Sequence, residues 1–232
     1  MQQRNSIKSI IFFLLAAVFL LYEMAVQALP AVMATDIMQS LRFSSALLGI
    51  IMGCYFVSYT LMQIPVGLLL DRYSVKKLLV VALALCSFGT FLFAMTHSGW
   101  LMAVARLIAG LGSAFAFVGV LMVADQWFST KYFALLVGIA QFLAAMGAML
   151  GQVPLAYFVA HYGWRHTTLY VVLVGLLLLA LIVIFLKDKS SHKMTVKDIG
   201  STFFDLTHSL KNILRNHQSW YVALYACCAW GP

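Results

Sequence analysis

"MQIPVGLLLDRYSVKK", residues 62–77, leaves a long apolar stretch, passes two adjacent opposite charges at Asp71 and Arg72, and reaches a pair of lysines before apolar sequence resumes. The flanking stretches are too long for buried helices of a soluble domain, because crossing about 30 Å of hydrocarbon takes roughly 20 residues at about 1.5 Å each. A chain of 232 residues that is 63% hydrophobic and 9% charged cannot bury so much apolar surface in a water-soluble core. The charged stretch is therefore a turn at a membrane surface.

Working outward, six helical spans are expected at 7–34, 44–70, 78–95, 101–124, 134–159 and 167–186. Short polar connections separate them: "TDIMQSLRF", the charged turn itself, "THSGW", "DQWFSTKYF" and "AHYGWRH". Loops this short make antiparallel neighbours. A transmembrane barrel would alternate over segments of about 10 residues, and no such alternation occurs. The first span carries Glu23 and heads a series, which suits a retained helix better than a cleaved secretory signal. Lys and Arg concentrate on the cytoplasmic side of membrane proteins. With the N-terminus inside, that side holds twelve basic residues and the other only Arg42 and Arg165. The net charge of +8 is thus a topology signal, and no basic stripe with interleaved aromatics points to nucleic acid.

Catalysis is not expected, since no nucleophile elbow, phosphate-cradling glycine loop or zinc-protease motif is present. Cys54, Cys86, Cys227 and Cys228 lie in apolar surroundings without metal-ligand spacing. His161 and His166 flank one loop that lacks carboxylate or thiol partners, so no metal or cofactor is expected. Trp100 and Trp164, beside the outer loops, suit an interfacial aromatic belt.

The opening stretch also recurs. A shift of 89 residues lays 62–77 over "GQVPLAYFVAHYGWRH", 151–166, matching Gln63 with Gln152, Pro65 with Pro154, Tyr73 with Tyr162 and Lys76 with Arg165. Three spans separate the copies, so they face opposite sides. Such an inverted repeat of three plus three helices lets related bundles open alternately to the two sides in transporters.

The pattern Gly67-x-x-x-Asp71-Arg72-x-Ser74-x-Lys76-Lys77 resembles the loop between helices 2 and 3 of the major facilitator superfamily, with serine where glycine is more usual. Arg106-x-x-x-Gly110-x-Gly112-x-Ala114 resembles its helix 4 motif. The resemblance covers the chain but only the N-terminal half of a twelve-helix member. It implies an all-α bundle of six transmembrane helices at 1–186, a cytoplasmic linker with an amphipathic helix at 187–219, and the start of a seventh span at 220–232. Within the superfamily, "YEMAVQALPAVM" and "LGIIMGCYFVSYTLMQIPVGLLLDRYSVKK" are most similar to the phagosomal nutrient transporters of intracellular bacteria, which implies an amino acid or nucleoside substrate, the amino acid first. No adjacent Gly-Pro follows the antiporter pattern in span 5, so symport or facilitated entry is the expected mode.

A carboxylate within a span is costly unless it faces protein, water or a partner. Glu23, Gln27 and Pro30 share one face of span 1. Glu23 either binds a proton or a substrate amino group, or is satisfied by Tyr22, Tyr59 or a neighbouring helix. Arg106 shares a face of span 4 with Gly110, Ser113 and Phe117; it serves Glu23 or a substrate carboxylate, or snorkels to interfacial water. Gln141 and Gln152 share a face of span 5 and bond either a substrate or a helix, while Gly147 and Gly151 mark close helix contact. Asp71 either gates alternation, as the resemblance implies, or anchors the turn at the interface.

The expected function is secondary transport of a small polar nutrient, coupled to protons, in a bacterial inner membrane with the N-terminus cytoplasmic. Its expected partners are the lipid bilayer, the substrate, protons, and a C-terminal half or a second copy. The alternative is a transport-incompetent remnant or a membrane interaction protein.

Overall fold

The computed structural model describes residues 7–187 and 220–221. The chain divides into units Met1–Ser191 and His192–Pro232. In the second only Trp220 and Tyr221 are described, and both are helical. The expected linker beyond residue 187 and most of the expected seventh-span start lie outside the described residues.

The first unit is built from helices α1 (Ile7–Val32), α2 (Ala34–Leu41), α3 (Ser45–Arg72), α4 (Val75–Met95), α5 (Gly99–Ser113), α6 (Phe115–Trp127), α7 (Thr130–Leu150) and α8 (Val153–Phe185). Helices α1, α3 and α4 are spans 1 to 3. Helices α5 and α6 follow one another across Ala114 as span 4. The stretch Thr130–Phe185 holds 56 residues, and at about 1.5 Å each would run ~84 Å, more than twice the hydrocarbon thickness. It crosses twice. Gly147 and Gly151 climb along α1 against Leu21 and Ala25, whereas Thr168 reaches Met33 and Gly175 returns to Tyr22. The reversal is at Gly163, with φ 78° and ψ 159°, a conformation that a side chain opposes.

Three expectations need correction here. The first connection is a short helix, α2, because Met33 and Ile37 recur one turn apart and bury their side chains. "AHYGWRH" is not an open loop but helix on both sides of Gly163. Trp164 is buried rather than interfacial: it packs edge-on against Phe93 and donates its Nε1 hydrogen to Ser40 Oγ at 3.1 Å. Trp100, by contrast, is 78% exposed.

At the opening stretch, α3 ends at Arg72 and Ser74 begins α4, its Oγ accepting from the Lys77 amide at 3.1 Å. Pro65 and Pro30 lie inside helices, and Pro154 sits in the first turn of α8, just past the irregular residues Gly151 and Gln152.

Spans 1 and 4 are the most buried, at 56% and 61% of their central windows, and span 2 the least, at 22%. Span 2 packs on span 4 while span 5 packs on span 1; span 3 packs on span 4 while span 6 packs on span 1; and spans 3 and 6 pack together. This is the pattern an inverted repeat requires, and single contacts follow it. A Cβ at Gly110 would overlap Ser58 Oγ, and one at Gly147 would overlap the Leu21 carbonyl. The 89-residue shift carries Ser58 onto Gly147 and Leu21 onto Gly110, so the two close approaches are one contact seen twice.

Candidate substrate and coupling site

Span 4 can approach span 2 closely because residue 110 is glycine: its missing side chain leaves room for the Tyr55 carbonyl and the Ser58 hydroxyl. The same closeness brings Arg106, one turn earlier, over the Tyr55 ring, with its guanidinium carbon 4.4 Å from the ring centroid. Phe93 stands on another side at 6.0 Å. Aromatic faces attract a guanidinium, which helps a 4% exposed arginine remain within the bundle. The side chain does not snorkel.

Tyr55 also reaches span 1. Its hydroxyl donates to Glu23 Oε1 at 2.6 Å, and its ring stacks on Tyr59 at 6.1 Å. Glu23 and Arg106 are therefore joined through one tyrosine, donor to the anion and ring support for the cation. Both keep an unused polar atom: Glu23 Oε2 and Arg106 Nε are buried without a hydrogen-bond partner. Such atoms are costly in a low-dielectric interior, so this is a polar centre held partly unsatisfied.

The helix 4 motif is mainly a packing device. Gly112 admits the Ala82 carbonyl and the Cys86 amide of α4, and Ser113 Oγ lies 3.4 Å from Cys86 Sγ. A cavity of ≈ 10 Å³ lies beside Arg106, bounded by Val26, Pro30, Thr90, Phe93 and Thr168, and has room for about one water molecule. That cavity is too small for a nutrient, and a larger one of ≈ 340 Å³ between α1, α7 and α8, lined mainly by apolar side chains such as Leu21, Leu155 and Val171, does not include Arg106.

Gln27 is half-buried and Gln141 exposed on α7; neither bonds a described residue. The structure thus brings together Glu23 and Arg106 but not Gln141. Tyr55 is the residue that sequence reasoning missed, although Tyr55, Ser58 and Tyr59 recur at i, i+3 and i+4 on one face.

In the charged turn, Gly67 is half-buried with open space beside it, Asp71 is exposed without a bond to a described residue, and Arg72 is half-buried. Lys77 is exposed, whereas Lys76 Nζ donates to the Val183 carbonyl at 2.8 Å. Among the described residues no three His, Cys, Asp or Glu side chains gather as a metal site. His161 and His166 lie instead against the Tyr157 and Tyr162 carbonyls at 2.8 and 3.1 Å.

Six spans in inverted repeats, with a carboxylate and a guanidinium buried at their centre, define half of a secondary-transporter fold. The sequence profile of the Major Facilitator Superfamily matches residues 11–231, and the chain belongs to that superfamily. It is 33% identical over 135 residues to the uncharacterized transporter YybO of Bacillus subtilis (strain 168), covering 58% of this chain and 31% of that one. It is 28% identical over 185 residues to a protein of Escherichia coli (strain K12) named "Probable galactarate/D-glucarate transporter GarP", covering 75% and 40%. It is 20% identical over 198 residues to the hexuronate transporter of Bacillus subtilis (strain 168), covering 85% and 46%. The chain spans less than half the length of each of these relatives.

Proposed function

We propose that this chain forms the first six-span half of a secondary transporter that moves a small organic anion together with a proton by alternating access. The observation that carries this reading is the Glu23–Tyr55–Arg106 centre: a buried guanidinium and a buried carboxylate, joined through a tyrosine, each with an unused polar atom. With Glu23 ionised, the centre is neutral overall. With Glu23 protonated, the charge of Arg106 is uncompensated and attracts an anion in a low-dielectric setting. Proton and anion then load together. Because the cavity beside Arg106 admits only about one water, an anion reaches this centre only in a state opened against a second bundle. That bundle is a C-terminal half or a second copy. The names of relatives support an acidic substrate, since galactarate, D-glucarate and hexuronates all carry carboxylates. The bias of basic residues supports an orientation with the Lys76 end cytoplasmic, and the bacterial relatives support a bacterial inner membrane.

An amino acid is the second reading. It is favoured by the opposite charges of Glu23 and Arg106, which would suit an amino group and a carboxylate, and by the likeness to phagosomal nutrient transporters. Asp71, exposed beside the half-buried Arg72, is free to grip the second bundle in one state of the cycle. Uptake of labelled D-glucarate, glucuronate and alanine into proteoliposomes under an inward proton gradient tests the proposal. Gradient-driven uptake of the sugar acids alone supports the organic-anion reading, and uptake of alanine alone supports the amino acid. No uptake of any of them by inserted, folded protein, whether alone or reconstituted with a six-span partner half, favours the transport-incompetent alternative.

A further inference from the structure

The matched cations Lys76 and Arg165 do the same thing at opposite ends of the bundle. Lys76 Nζ donates to the Val183 carbonyl in the last turn of span 6. Arg165 Nη1 donates to the Ala94 carbonyl in the last turn of span 3 and, at 3.1 Å, to the Thr96 carbonyl just beyond it. The 89-residue shift that carries Lys76 onto Arg165 also carries Ala94 onto Val183. Donor and acceptor therefore exchange repeats while keeping their partners in register. The acceptors are of one kind, carbonyls at a helix C-terminus without an intrahelical donor, where the helix dipole also favours a cation. Arg165 is steadied by stacking on Trp164, its guanidinium carbon 4.2 Å from the ring centroid.

We propose that Lys76 and Arg165 are paired cross-repeat clamps. Each follows the second helix of its own repeat and fixes the end of the third helix of the other, so that spans 3 and 6 are pinned at both membrane faces and the two repeats move as one body. Lys76 thus acts inside this half of the fold, whatever Asp71 meets outside it. The exposed Lys77, one residue on, takes no part.

Hydrogen exchange of the full chain in lipid nanodiscs, read by mass spectrometry, tests the assignment. Lys76→Gln is expected to speed exchange in the last turn of span 6 roughly tenfold, and Arg165→Gln to do the same in the last turn of span 3, the scale of losing one charge-assisted hydrogen bond at a helix end. Lys76→Arg and Lys77→Gln should leave span 6 within about twofold of the parent. The proposal is overturned if exchange at the opposite repeat is unchanged in both Gln variants, if it rises only in the helix bearing the substitution, or if Lys77→Gln matches Lys76→Gln. If Lys76→Gln fails to fold, Lys76→Arg decides: protection of span 6 retained upholds the clamp, and protection lost overturns it.

Discussion

Replacing Gly110 with alanine puts a methyl group where the Tyr55 carbonyl and the Ser58 hydroxyl now sit. Backbone cannot swing away as a flexible side chain would, so span 4 must back off from span 2. Overpacking of this kind costs about 1–3 kcal/mol, against which alanine returns up to ~1 kcal/mol of helix propensity. Gly147→Ala meets the Leu21 carbonyl in the repeat-related contact and should lose a similar amount. Gly49 and Gly138 are related by the same shift but have open space where a Cβ would go, so alanine there gains propensity alone. The two classes should differ by about 2 kcal/mol, or roughly 4–8 °C at ~2–4 °C per kcal/mol for a chain of this size. The assay is the apparent melting temperature of the detergent-purified chain, read by fluorescence-detected size exclusion. Gly49→Ala and Gly110→Ala melting together would refute the packing account, and Gly110→Ala and Gly147→Ala shifting in opposite directions would refute the repeat.

Tyr55→Phe keeps the ring beneath Arg106 but removes the donor to Glu23, and should destabilise the chain by about 2 kcal/mol in thermal melts, while Tyr59→Phe, whose hydroxyl bonds the neutral Gln63 instead, should cost less, about 1 kcal/mol. Gly163→Ala forces a side chain into φ 78°, ψ 159° and should cost about 1–3 kcal/mol. At the related turn, Ser74→Gly removes a helix cap in a backbone conformation that glycine also adopts and should cost less than Gly163→Ala, so melts of the two should separate. Trp164→Phe retains a ring against Phe93 but loses the bond to Ser40, for a melting loss equivalent to about 1 kcal/mol, whereas Trp100→Phe on the exposed surface should be neutral.

The six spans were legible because apolar run length is a direct measure of hydrocarbon thickness, and the turn at 71–77 because charge stops such a run. Glu23 and Arg106 stood out for a similar reason: an ionisable side chain within a span is rare enough to signal a partner. Tyr55 carries no such signal, since tyrosine is common in membrane helices and its role comes from Gly110 drawing two spans together. Helix α2 was hidden in a polar connection in which Ile37 alone is fully buried, and its companion one turn earlier, Met33, counts as the end of span 1. Trp164 was misplaced because a tryptophan beside a loop suits an interface and a bundle seam equally, and only packing against Phe93 and Ser40 separates them. The match of 62–77 with 151–166 revealed the repeat, but its deeper register, Ser58 with Gly147 and Ala94 with Val183, joins unlike residues whose equivalence lies in backbone position.

The central claim, that Glu23 ties a proton to an organic anion, is tested most directly by following proton movement as D-glucarate is added to the folded chain in weakly buffered solution. The account predicts proton uptake with anion binding in the parent and none in Glu23→Gln. Anion binding without proton uptake in the parent, or undiminished proton uptake in Glu23→Gln, would contradict it.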